Sequence, residues 1–196
     1  KKSQIPTDVL KYELRKLQIK VAEESRSSYL TFVKKVWPDF IAGSHHKIFA
    51  QKLEDVSRGK IKRLIVNMPP RHTKSEFASN LFPAWMMGRN PKLKIIQTTH
   101  TAELSYNFGR KVRNLFDQQE FKDVFPDVNL SQDSKAAGRF TTNKGGEYFA
   151  AGVGGAITGR GADLLIIDDP HSEQDALSQT AMDNAYEWYT SGPRQR

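Results

Sequence analysis

Apolar positions along this chain fall into two rhythms, one of three to four residues and one of short unbroken runs. Leu10, Leu14, Leu17 and Val21 recur among charges at helical spacing, which predicts a surface helix starting near Thr7-Asp8. Further helices are expected over 28–36, ending at Trp37-Pro38, and over 47–56, closed by Ser57-Arg58-Gly59 in the way a C-terminal glycine closes one. Between them, 40–46 reads as a loop carrying His45 and His46. Leu64-Ile65-Val66, the run 93–98 and the run 162–169 read instead as buried strands. Helical patterns follow the first two, over 76–87 and from Thr99-His100-Thr101 onward, the latter with Leu104, Phe108, Val112 and Leu115 on one face.

The segment 121–135 shows no clear period and is read as irregular. A hairpin is expected from 139–143 through a Lys144-Gly145-Gly146 turn into 147–151. After the third strand, 171–176 looks like a mobile loop before a last helix at 178–189. Strands alternating with helices predict an α/β fold with a mostly parallel central sheet flanked by helices. Two parts are expected, a helical N-terminal segment at 1–58 packed on a core at 59–196. The start at Lys1-Lys2-Ser3-Gln4 lacks Met and leads into no signal-peptide core, and the end at Pro193-Arg194-Gln195-Arg196 closes no element, so a fragment of a longer protein is expected.

Composition narrows the function. With 30 Lys+Arg against 22 Asp+Glu the net charge is +8, and summed positive potential favours a polyanionic partner. The basic residues Lys34-Lys35, Lys60 to Arg63, Arg110-Lys111-Arg113 and Lys122 are dispersed, which suits contact with a nucleic-acid backbone more than base reading. The absence of cysteine excludes disulfides, thiolate metal sites and cysteine nucleophiles. No apolar run approaches the roughly 20 residues needed to span a bilayer, and a cytosolic protein is expected.

The candidate chemistry lies at strand ends. Leu64 to Met68 breaks at Pro69-Pro70, passes through Arg71-His72-Thr73 and reaches Lys74-Ser75 at the head of a helical pattern. A phosphate loop needs inward backbone N–H groups, a lysine for the β/γ-phosphates and a hydroxyl for Mg²⁺ at a helix start. Pro70, Arg71, His72, Thr73, Lys74 and Ser75 are the nucleotide-binding candidates. The usual pattern places glycines where Met68 and Thr73 stand, so an ordinary strand-to-helix turn is the competing reading.

Glycines crowd 145–161, and the run 162–167 then ends in Asp168-Asp169. Paired carboxylates at the end of an aliphatic strand are costly without a cation. Asp168 with Ser75 would hold Mg²⁺, and Asp169 would orient or deprotonate an attacking water. Arg160 could reach a phosphate in its own subunit or a neighbour's, and Arg71 is a second candidate for transition-state charge. Thr98-Thr99-His100 could sense a γ-phosphate, a helix cap being the plainer role, and His45-His46 suit a loop or capping role. The whole reading requires Lys74 and Asp168 to meet at one end of the sheet.

The chain resembles the N-terminal ATPase domain of the large terminases of tailed bacteriophages. The likeness rests on Pro69 to Ser75, Gly154 to Asp163, Leu165 to Pro170 and Trp188 to Arg194, and covers roughly 30–196. It implies a P-loop fold of the additional-strand class, ATP and Mg²⁺ as ligands, a motor moving double-stranded DNA into a procapsid, and self-association into a ring. It also implies an arginine acting across subunits at the position of Arg160, a downstream nuclease domain after a coupling motif, a small terminase subunit and the portal protein as partners, and a place in the host cytoplasm outside the mature particle. Many members carry Asp-Glu where this chain has Asp168-Asp169, which makes Glu173 a fallback for the base. A helicase-like DNA-remodelling ATPase and a non-hydrolysing nucleotide-dependent DNA-binding module are the alternatives.

Overall fold

The computed structural model describes residues 6–157 and 159–195. Lys1-Lys2-Ser3-Gln4, Thr158 of the glycine-rich motif and Arg196 lie outside them. Three helices open the chain, α1 (Thr7–Ser27), α2 (Tyr29–Val36) and α3 (Ser44–Ser57). A π-helical turn (Glu76–Leu81) runs into α4 (Phe82–Arg89), followed by β1 (Lys94–Thr99), α5 (Ala102–Leu115), α6 (Gln119–Val124), β2 (Leu130–Ala136), β3 (Arg139–Thr142), β4 (Glu147–Gly152), β5 (Leu164–Ile167) and α7 (Gln179–Ser191). No helix among the described residues is long and apolar enough to cross a membrane.

The result is an α/β fold with a five-stranded sheet in the order β2-β3-β4-β1-β5. It is mixed where a mostly parallel sheet was expected: β1 pairs in parallel with β4 and β5, but β2, β3 and β4 form an antiparallel meander. The hairpin at 139–151 is the reason, since a tight Lys-Gly-Gly turn can only join antiparallel strands. The segment expected to be irregular supplies α6 and β2. Phe121 and Val124, three apart, bury the inner side of α6, while β2 is an edge strand whose register shifts between Leu130 and Lys135. That irregularity erases the alternation a strand would otherwise show.

The apolar run before Pro69 is a second correction. Leu64, Val66 and Met68 are half-buried against the core and Ile65 is 87% exposed, so the segment is extended, yet the five-stranded sheet does not include it. Alternating apolar residues record which side is buried, not whether the backbone pairs, and Pro69-Pro70 lack the N–H groups a ladder would use at its end.

One face of the sheet carries most of the core. Ile95, Tyr148, Ala150 and Phe140 share one apolar cluster with Tyr29 and Phe32 of α2, Phe49 and Leu53 of α3, and Trp85 of α4. Tyr29 ties them: its backbone N–H donates to Glu54 at 2.8 Å and its hydroxyl donates to the Phe77 carbonyl at 2.6 Å. The opposite face is thinly covered by Ile157 and Trp188 over Ile96, Ala151 and Leu165. Only the end of α1 joins the core, through Trp85 Nε1 donating to the Ser25 carbonyl and Arg26 Nε to that of Val124. Its Leu10, Leu14 and Leu17 stripe is exposed.

Helix α5 is seated by Gly109, where an added Cβ would stand 2.0 Å from the Ala137 carbonyl oxygen and 3.1 Å from the Tyr148 ring. Alanine would improve helix propensity by about 1 kcal/mol, but a backbone carbonyl cannot swing away. Gly109→Ala is expected to lower the unfolding free energy by about 1–3 kcal/mol net, as overpacking does, measured from the urea midpoint.

Candidate functional site

The carboxyl ends of β1 and β5 form one rim. They are held level by the Asp168 N–H donating to the Thr98 carbonyl at 2.9 Å and the His100 N–H donating to the Asp169 carbonyl at 3.2 Å. Beyond β5 the backbone is left-handed at Asp169, whose φ is +44°. Open α/β sheets bind ligands at such rims.

Lys74 reaches this rim from a segment 95 residues away. Its Nζ lies 2.5 Å from Asp169 Oδ1 and 3.3 Å from Asp168 Oδ1. The two remote motifs therefore meet, as the sequence reading required. Burial pulls the ammonium's pKa down, but the hydrogen bond to Asp169 and the charges of both acids outweigh burial and hold it above the ordinary 10.5. The lysine is a permanent cation at neutral pH. Asp168 is 7% exposed and its other oxygen, Oδ2, accepts from Ser79 Oγ at 2.8 Å. Ser79 lies on the π-helical turn, a distortion of the kind that recurs at functional sites. The sequence reading did not include it.

The loop 68–76 with Asp169 walls a cavity of about 420 Å³, of the size small-molecule ligands use. Pro70, Arg71, His72, Thr73, Lys74 and Ser75 all line it. A second cavity of about 680 Å³ shares Asp169 and is lined by His100, His171 and Glu173 among others. Glu173 and Asp169 thus face one space. The loop 171–176, read as mobile from sequence, has bonds within itself: Ser172 donates through N–H and Oγ to Asp175 Oδ2 at 3.0 and 2.7 Å, and Asp175 N–H returns a bond to Ser172 Oγ at 3.1 Å. These bonds, first from the Ser172 side chain and then from its backbone, lower the Asp175 pKa.

Arg160 is not at this rim. Its Nη1 lies 2.8 Å from Glu147 Oε1 and its guanidinium stacks 3.9 Å over Phe149. Glu147 pairs with Lys94 at the amino end of the parallel strands, whereas Thr98 pairs with Ile167 and Asp168 lies one residue beyond, so more than about 13 Å of strand separates the two levels. In this structure that span holds Arg160 away from its own subunit's rim, so of the two options read from sequence the observed position favours a phosphate in a neighbouring subunit.

His45 and His46 belong to the first turn of α3, not to a loop, because His46 Nδ1 accepts the Gly43 N–H at 2.9 Å and starts the helix early. The capping role expected for this pair is thus seen for His46. Its Nε2 lies 2.7 Å from Thr73 Oγ1, a contact with the candidate loop that spacing could not reveal. Burial first, then the rings of His45 and His72, lower the His46 pKa below the ordinary 6.5. A depressed imidazole pKa stabilises the fold above 6.5 and loses that contribution as pH falls from there through the native value. His46→Gln is therefore expected to flatten the fall in stability between pH 7 and 5, measured as the difference in urea midpoint from wild type at each pH. Thr99 and His100 sit at the rim as expected, and Thr101 caps α5 by accepting the Leu104 N–H at 3.2 Å.

Oxygen donors are what Mg²⁺ prefers, and it uses one or two carboxylates plus phosphate and water in place of a full protein cage. Ser75 and Asp168 fit that pattern. Among the described residues no cluster of three or more His, Asp or Glu forms a cage for a metal. Comparison with family models, with curated proteins and with solved structures finds no match for the chain.

Proposed function

We propose that this chain is an ATP-hydrolysing motor domain of the viral genome-packaging kind, coupling Mg-ATP hydrolysis to movement of double-stranded DNA. The observation that carries the reading is the contact of Lys74 with Asp168 and Asp169 beside the 420 Å³ cavity of the loop. A cation, a hydroxyl and paired acids converge at a strand rim, which is the set phosphoryl transfer needs.

In this mechanism the triphosphate lies along 70–75 and Lys74 exchanges its carboxylate partners for β- and γ-phosphate oxygens. Ser75 and Asp168 would hold Mg²⁺, which when bound neutralises phosphate charge. Ser79 orients Asp168 through its hydrogen bond. Asp169 accepts the proton of the attacking water, with Glu173 in the adjoining cavity as the second candidate. Arg71, exposed in the loop, meets charge on the subunit's own nucleotide, while Arg160 acts on a neighbour's in a ring. The excess of positive charge supports backbone contact with DNA. A small terminase subunit and the portal protein belong to the same proposal.

A non-hydrolysing nucleotide-dependent DNA-binding module is the second reading, favoured by the engagement of both acids by Lys74. Phosphate release from Mg-ATP, measured with DNA and at high protein concentration so that neighbours can associate, separates the two. Turnover supports the motor; binding of Mg-ATP with no phosphate released replaces it with the module.

A further inference from the structure

The candidate loop turns left-handed at two residues that are not glycine, Arg71 and Thr73, each with φ +63°. For a β-branched residue this conformation is a genuine outlier, and it persists only where surroundings hold it. At Thr73 the surroundings are visible. The Gly43 N–H facing His46 Nδ1 makes that atom an acceptor, so the ring proton sits on Nε2 and is donated to Thr73 Oγ1 at 2.7 Å. Thr73 Oγ1 in turn donates to the His72 carbonyl at 2.6 Å. The imidazole is itself wedged: it is 7% exposed, edge-on to Phe40 at 4.8 Å and stacked on Phe77 at 5.2 Å. Phe77 belongs to the helical turn that the loop feeds, and its N–H donates to the Thr73 carbonyl at 2.9 Å.

We propose that His46 is a positioning residue for the loop: by locking the Thr73 hydroxyl it holds a left-handed turn that a glycine would otherwise supply, and so keeps the loop in its anion-accepting shape. This rests on the nucleotide reading above for its ligand, but the loop geometry can be tested without one.

Three variants separate positioning from mere packing. His46→Asn keeps an acceptor for the Gly43 N–H but is too short to reach Thr73. His46→Gln keeps a donor for Thr73 Oγ1. Thr73→Gly adopts the turn unaided. Binding of a fluorescent Mg-ATP analogue is expected to weaken about tenfold in His46→Asn, a factor equivalent to ~1.4 kcal/mol, and to recover in His46→Gln. In the Thr73→Gly background His46→Asn should cost less than about twofold, whatever it does to thermal stability. Hydrogen exchange at the 72–76 amides without nucleotide should quicken in His46→Asn and not in His46→Gln. Thr73→Val leaves α3 intact and removes only the shared hydroxyl, so it should match the loss even where His46→Asn folds poorly. Equal losses for Asn and Gln, an undiminished loss in the Thr73→Gly background, or unchanged exchange overturns the proposal. A wild-type chain that ignores the analogue while the exchange pattern holds sinks the nucleotide reading and leaves the positioning role standing.

Discussion

Lys74→Ala is expected to lower Mg-ATP hydrolysis by at least about a hundredfold, the effect of removing one preorganised donor from developing phosphate charge. Nucleotide binding should fall with it, because the ammonium is the cation that both acids already hold at the rim. A stability cost accompanies the change. Asp168 is nearly buried and would keep only its Ser79 bond, so about 1–3 kcal/mol is expected, as for a buried group left short of a partner. The cost stays below that of a fully buried pair because Lys74 is 22% exposed and Asp169 63%. Circular dichroism of the variant, run beside single-turnover phosphate release, shows whether lost turnover is lost chemistry. Hydrolysis at the wild-type rate would end the motor reading.

Asp169→Asn is the second large effect: nucleotide binding within about threefold of wild type, and hydrolysis reduced by a factor of about 10² to 10⁴, the range general-base catalysis supplies. Asparagine tolerates the +44° backbone angle at this position, so the loss cannot be assigned to a forced rearrangement of the turn. Glu173→Gln is the matched control, since Glu173 faces the same cavity. A loss confined to Glu173→Gln transfers the base to that residue.

How far the sequence could be read depended on whether a signal was local. Helix α5 was legible because Thr101 caps it and its apolar face repeats by four, four and three. The β3–β4 hairpin was legible from its Lys-Gly-Gly turn. Edge strand β2 was not, since polar residues and a shifted register leave no period to find. At the rim, the two acids could be placed because they end an apolar strand, and Lys74 could be paired with them on paper because it heads a helix after a polar loop, although the run before that loop proved not to be a strand. His46 and Ser79 could not, being 27 and 89 residues from the groups they hold, with nothing in the intervening chain to mark the contact. The extended run 64–68 shows the limit of periodicity most plainly, for it buries alternate side chains without joining the sheet.

The position of Arg160 bears on how copies of the chain would assemble. Its guanidinium rests on Glu147 and Phe149 near the amino end of the strands, while Lys74 stands at the carboxyl end. If the arginine of one copy serves the nucleotide of the next around a ring, donor and acceptor surfaces are different patches and the contact is heterologous, head-to-tail. In the proposed ring such a contact repeats from copy to copy until rotation closes it, and without closure a filament grows. A variant that frees Arg160 by Glu147→Gln would then shift the distribution of assembled sizes by sedimentation, leaving the monomer's own rim untouched.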